Sequence, residues 1–271
     1  MMLVVGVPQG LLPLSVLERE RSTVTPEYAT ATSLLSEPTE PRIRVWEQNA
    51  LDCFNRRMLD RNRLFPCIFG VDAVRRGSLR YTFVPADTGV RTLAQALTEY
   101  AGVAPSLGKR TSLVAFFEPS AEHHSIADYE RLFWEVLQGL HTADTDPWPP
   151  DIATDADDPF WEFSFAGMPL FVVANTPAHA RRQSRYFEYF AITFQPRFVF
   201  DDLTPDSAQG RNARTIIRQR LRAYDEVPPT PLLGNFGDSR NREWTQYFLD
   251  DDNRGPGSGR CPFTHEAKEA K

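Results

Sequence analysis

Apolar side chains recur along this chain with two alternating periods. Trp46, Ala50, Phe54 and Met58 return every four residues and predict a first helix over roughly 42–61. LRYTFV (79–84) alternates as a half-buried strand does, and TLAQALTEYAG (92–102) reads as a helix stopped by Gly102. TSLVAFF (111–117) is a short apolar strand closed by Pro119. In DYERLFWEVLQGLH (128–141), Leu132, Phe133, Val136, Leu137 and Leu140 share one helical face, with Asp128 as the expected N-cap. WEFSF and PLFVVAN flank Ala166-Gly167-Met168 and predict a hairpin. FAITFQPRFVF (190–200) is a further strand, whose Pro196 points to an edge position or a bulge. NARTIIRQRLRAYD (212–225) predicts a basic amphipathic helix and REWTQYFL (242–249) a shorter one. Interleaved helices and strands with one hairpin predict a single α+β domain, a mixed sheet flanked by helices.

The ends differ from this pattern. Residues 22–41 (STVTPEYATATSLLSEPTEP) are rich in Ser, Thr and Pro, so 1–41 is expected to be a flexible arm, 42–263 the folded domain and 264–271 a tail. The apolar opening is broken by Pro8 and Pro13, lacks a basic start, and is too short to cross a bilayer. No membrane association is expected.

A net charge of −6 argues against non-specific nucleic-acid binding as the main activity, although the helix over 212–225 would be its natural vehicle. Three cysteines cannot all pair, which favours a reducing, cytoplasmic setting. No P-loop, GxGxxG after a strand, HExxH, CxxC or GxSxG occurs. The carboxylate-rich loop DTDPWPPDIATDADD (144–158) lacks the spacing and central glycine of an EF-hand loop and reads as a solvated acidic loop.

Individual residues stand out more than motifs do. Arginines cluster at Arg181, Arg182 and Arg185, then Arg197, then along the last long helix. Arg185 and Arg197 are flanked by aromatic residues, and a buried guanidinium there requires an anionic partner, from the protein or from a ligand. His141 ends an amphipathic helix three residues before Asp144, which can orient an imidazole for a metal. His179 opens the arginine cluster. In FPCIFG (65–70), Cys67 is either a small buried hydrophobe or a thiolate, and a thiolate needs neighbours that stabilise its charge.

FPCIFG, FWEVLQGLH, WEFSFAGMPLFVV, PAHARRQSR, FQPRFVF, EWTQYFL and the terminal RCPF follow one another in this order. Together they resemble the YqcI/YcgG (GntA-type) family over roughly residues 42–263, in the branch similar to the L-arginine N-hydroxylase of D-cycloserine biosynthesis. The resemblance implies a haem b monooxygenase. It would use dioxygen and an external electron donor to hydroxylate the guanidino group of free L-arginine, giving Nω-hydroxy-L-arginine in an antibiotic pathway. Alternatives are another guanidino or amino substrate, or a haem carrier or sensor without turnover.

Haem b needs an apolar slot, an axial ligand and cations for its propionates. Cys67 ranks first as the ligand because a thiolate favours O–O cleavage. His141 follows, with His179 and Cys261 behind. Arg197 and Arg185 are the expected propionate partners. For a planar cationic substrate, Glu162 offers a carboxylate, adjacent Trp161 an aromatic face, and Asp144 a second carboxylate. The competing reading pairs Glu162 with one of the arginines and leaves Trp161 in the core.

Overall fold

The computed structural model describes residues 43–204, 207–255 and 259–266; the expected arm over 1–41 and residues 267–271 of the tail lie outside them. In chain order the elements are α1 (Val45–Leu59), α2 (Ile68–Arg76), β1 (Arg80–Val84), α3 (Gly89–Val103), β2 (Leu113–Phe117), α4 (Ile126–Ala143), β3 (Ser164–Phe165), β4 (Met168–Asn175), β5 (Ala191–Pro196) and α5 (Ala208–Tyr224). Short 3-10 turns follow α3 and β5, and another covers Glu243–Gln246. The last replaces the helix expected over 242–249.

The strands form one mixed sheet in the order β1-β2-β5-β4-β3. β1 and β2 run parallel, with Tyr81 opposite Val114, and every other pair is antiparallel. The expected α+β fold with a mixed sheet is therefore observed. Because successive side chains in a strand point to opposite faces, β2 serves two cores at once. Leu113 and Ala115 join the core under α3 and α4, with Leu93, Leu97, Phe133, Leu137, Ile192 and Phe194. Val114 and Phe116 join the other core, under α1 and α2, with Leu51, Met58, Val74 and Phe187.

Local signals explain most boundaries. The N-cap of α4 is Ser125 rather than Asp128. Asp128 sits at N3 and closes a capping box: its backbone N–H donates to Ser125 Oγ (3.2 Å), and its carboxylate accepts from the Ser125 N–H (2.9 Å). The hairpin between β3 and β4 turns on Ala166 (φ 51°) and Gly167 (φ 67°). Two successive positive φ angles are what a two-residue primed turn demands. Asp144 steadies this turn by accepting from the Ala166 N–H at 3.1 Å. Pro196 does not mark an edge strand, since β5 lies between β2 and β4. The proline is the last strand residue and passes directly into the 3-10 turn Arg197–Phe200, where its missing N–H interrupts no inner ladder position. The helix α2 was not among the sequence expectations.

Candidate active site

The second face of the sheet is only half covered. α1 and α2 pack over β1 and β2, but the outward residues of β4 and β5 (Phe171, Val173, Asn175, Thr193 and Gln195) face a cavity of about 740 Å³. Small ligands commonly occupy chambers of this size. Its far wall comes from one face of α5 (Gly210, Ala213, Ile217, Leu221) and from the loop segment between Thr230 and Leu249. α2 closes one end with Pro66, Cys67, Phe69 and Gly70.

Cys67 is the N-cap of α2. Its sulfur accepts from the Gly70 N–H at 3.3 Å, so it sits where the unpaired N–H groups of a helix terminus concentrate positive potential. Burial pushes the thiol pKa up, while the Gly70 and Phe69 N–H groups and the Arg185 and Arg220 guanidinium groups oppose that rise. The sulfur is thus a protonated thiol by default and a thiolate once a cationic partner binds it. A side chain at Gly70 would meet the terminal methyl of Met58 at 3.0 Å and Cys67 Sγ at 3.5 Å, so it would stand directly against the thiol.

Arg185 lines the same chamber and is buried. Its guanidinium donates to the carbonyl oxygens of Gln246 (2.9 Å), Tyr247 (3.1 Å) and Ala174 (3.4 Å). No carboxylate lies within 4.0 Å of it among the described residues, and burial lowers its pKa to about 10. The chamber therefore holds a buried positive charge with no ion-pair partner of its own. Arg182 differs: it clamps the chain at 250–253 through the Asp250 and Asp252 carbonyls and Asn253.

Arg197 also lines the chamber. Its Nε and Nη2 meet the two oxygens of Glu162, each at 2.5 Å, and its guanidinium stacks 3.4 Å from the centroid of Phe236. Glu162 is fully buried. It does not line the cavity, because Arg197 stands between. Trp161 is also fully buried and packs against Tyr247 and Phe263 in the core. The arrangement follows the competing sequence reading, in which Glu162 pairs internally and Trp161 is core.

The remaining candidates lie elsewhere. His179 uses both ring nitrogens within the protein: Nε2–H donates to the Leu249 carbonyl (2.7 Å), leaving Nδ1 to accept from Thr176 Oγ1 (2.8 Å). Burial lowers its pKa, consistent with this neutral tautomer. His141 is buried beneath the chain's last described residues, where its Nε2 accepts from the Glu266 N–H (3.2 Å) and its ring contacts Trp148, Phe263 and His265. Cys261 is half-buried on the core under α3 and α4, with its thiol pushed up to about 12 by burial. Asp144 holds the hairpin turn, and other acids of its loop cap local turns, as Asp155 does for the Asp157 N–H. Of the four candidate ligands, only Cys67 lines the cavity. No group of three or more His, Cys, Asp or Glu side chains among the described residues could hold a metal ion.

The periodicity missed three residues of the chamber: Phe236, Glu243 and Gln246. Gln246 Nε2 donates to Asn241 Oδ1 (2.9 Å), while Asn241 Nδ2 donates to Glu243 Oε2 (2.9 Å). Gly234 lies so close to the Asn241 side chain that no larger residue fits without moving it. EWTQYFL carried an apolar signal only, and nothing in its spacing marks Glu243 as a buried acid.

Comparison with known proteins bears on this geometry. The chain is 42% identical over 235 residues to "Uncharacterized protein YcgG" of Bacillus subtilis (strain 168), covering 84% of this chain and 92% of that one. It is 43% identical over 225 residues to "Uncharacterized protein YqcI" of the same organism, covering 80% and 87%. It is 34% identical over 227 residues to "Putative N(omega)-hydroxy-L-arginine synthase DcsA" of Streptomyces lavendulae, covering 81% and 84%. No solved structure matches the chain significantly. Residues 54–264, which include every residue named above as lining the cavity, match the model of the YqcI/YcgG family, and the chain belongs to that family.

Proposed function

We propose that this protein is an N-hydroxylase of a guanidino compound, with L-arginine as the substrate and haem b as the resident cofactor. The observation that carries this reading is the single chamber that brings a helix-capping thiol, an ion-unpaired buried arginine and a buried glutamate to one apolar volume. The name of the Streptomyces lavendulae relative supports the substrate and the reaction.

The residues of the chamber suit what haem b requires. Phe171, Val173, Val114 and Leu79 provide apolar surface, Cys67 offers one sulfur to an iron, and Arg185 supplies a cation that an ionised propionate would pair. An iron at Cys67 would provide the positive charge that the buried thiolate otherwise lacks. When bound, the haem supplies the oxygen-activating redox chemistry, with dioxygen giving one atom to the guanidino nitrogen and the other to water, at the expense of two electrons and two protons from an external donor. The protein's own residues bind and orient the substrate and exclude water. Phe171, Phe200 and Phe236 line the walls, and the Glu162 pair fixes Arg197 in the wall beside Phe236.

The test is direct. Purified protein reconstituted with haem should show a Soret band, and with L-arginine, dioxygen and a reductase system it should yield a product heavier by one oxygen atom. Haem binding without arginine turnover would instead support a carrier or sensor. Absence of a Soret band after reconstitution would end the haem reading.

A further inference from the structure

Arg197 is the one cation within 4.0 Å of either Glu162 or Glu243 among the described residues. The two carboxylates are 0% and 5% exposed. Fully ionised, this trio of two acids and one base carries a surplus buried negative charge, which is costly unless a proton or another cation neutralises it. Glu162 has committed both oxygens to Arg197. The carboxylate left open to a further cation is therefore Glu243. Its Oε2 accepts from Asn241 (2.9 Å) and more distantly from Gln246 (3.5 Å). Its Oε1 accepts no hydrogen bond among the described residues; Arg197 Nη2 lies 3.6 Å away, beyond bonding distance. Unlike Glu162, Glu243 lines the chamber.

We infer that Glu243 is the specificity-determining carboxylate that takes the guanidinium of the substrate, its Oε1 accepting from a guanidinium N–H beside the aromatic ring of Phe236. This rests on the proposed guanidino chemistry and names the residue that would read it. A monocation at Glu243 balances the trio at two negative and two positive charges. A neutral ligand of the same shape would leave the surplus in place. The bound cation replaces a proton: burial raises the carboxyl pKa values of both Glu162 and Glu243, with Arg197 opposing the rise in each. Such a pair titrates as a unit. Among the described residues, the other titratable group facing it is Tyr247, whose hydroxyl donates to the Leu170 carbonyl and accepts from the Phe163 N–H, and which stays protonated because burial raises its pKa.

Calorimetric titration of the haem-loaded protein with L-arginine, L-citrulline and methylguanidine tests this, each in two buffers of different ionisation enthalpy near pH 7. Both guanidinium ligands should bind with release of up to about one proton, and citrulline, which is uncharged at the same position, should bind at least about tenfold more weakly. Glu243→Gln should weaken both guanidinium ligands by about 10- to 150-fold, the range for a hydrogen bond to a charged group, with haem content unchanged. If Glu243→Gln does not fold, the citrulline comparison and the proton count on the unmodified protein decide. Arginine turnover with Glu243→Gln binding as tightly as the parent would overturn the assignment and leave the proposed activity standing. Glu243-dependent binding of methylguanidine without binding of arginine would keep the assignment and remove L-arginine as the substrate. Equal binding of arginine and citrulline without proton release would overturn it on the parent protein alone.

Discussion

A guanidinium buried between two acids is a stronger constraint than one placed on a surface. Arg197 meets Glu162 through one hydrogen bond, from Nε to Oε2, and an Nη2–Oε1 ion-pair contact, and it stacks on Phe236, so it serves as counter-ion and as wall. Replacing it with alanine strands two buried carboxyls, and breaking such a pair from one side costs about 3–5 kcal/mol. The sign of the pH dependence follows from the acids. Glu162 is raised from 4.5 to about 8, so the folded state holds a proton that the unfolded state releases between those values. The stability tied to that proton is present below about pH 4.5 and lost as pH rises through about 8. Without Arg197 the carboxyls are harder still to ionise. Arg197→Ala should therefore lose more stability at pH 9, above the Glu162 pKa, than at pH 5 in urea unfolding. An equal loss at pH 5 and pH 9 would mean the guanidinium matters only as packing. The need for an anionic partner at Arg197 was legible from its aromatic neighbours, but the partner lies 35 residues away and only the fold selects it.

Helices and strands were more legible than the features that join them. α1, α3, α4, α5 and the four longer strands were readable from period alone, because each turns one apolar face inward: α5 to the chamber, the others to one of the two cores. α2 was not. Its nine residues include two arginines and a glycine, too little apolar repeat to register, although Arg75, Arg76 and the left-handed Gly77 are ordinary helix-end signals. Its start is marked only by Cys67, and cysteine is not among the residues that usually cap a helix. The chamber's thiol is therefore also a structural cap, and the two roles separate by substitution. Cys67→Ser keeps a capping oxygen and should preserve stability. Cys67→Ala should cost about 0.5–2 kcal/mol, the usual loss of an N-cap. If Cys67 ligates the proposed haem, both variants should lose the red-shifted thiolate-type Soret band of the reduced carbon monoxide complex. That band surviving in Cys67→Ser would reduce the cysteine to its capping role.

Across the whole molecule, one face of the sheet is sealed by α3 and α4 while the other is divided. α1 and α2 cover β1 and β2, and α5 with the segment 230–249 stands off from β4 and β5 to enclose the chamber. No local pattern reports a gap of this kind. Its walls come from residues between Phe54 and Leu249, and the polar outward positions of β5, Thr193 and Gln195, look in sequence like solvent-facing ones. The division predicts where occupancy will be felt. A ligand at 100 times its dissociation constant stabilises the folded state by about 2.7 kcal/mol. For a domain of this size that raises the melting temperature by roughly 5–10 °C. If haem occupies the chamber, loading the apoprotein should produce such a rise. Amide exchange should slow in α2, α5 and 230–249, the elements whose backbone encloses the chamber from its open side. α3 and α4 already seal a filled core and should slow only as far as global stability rises. Slowing confined to α3 and α4, with α5 unaffected, would place the ligand on the other face and detach the chamber from the proposed chemistry.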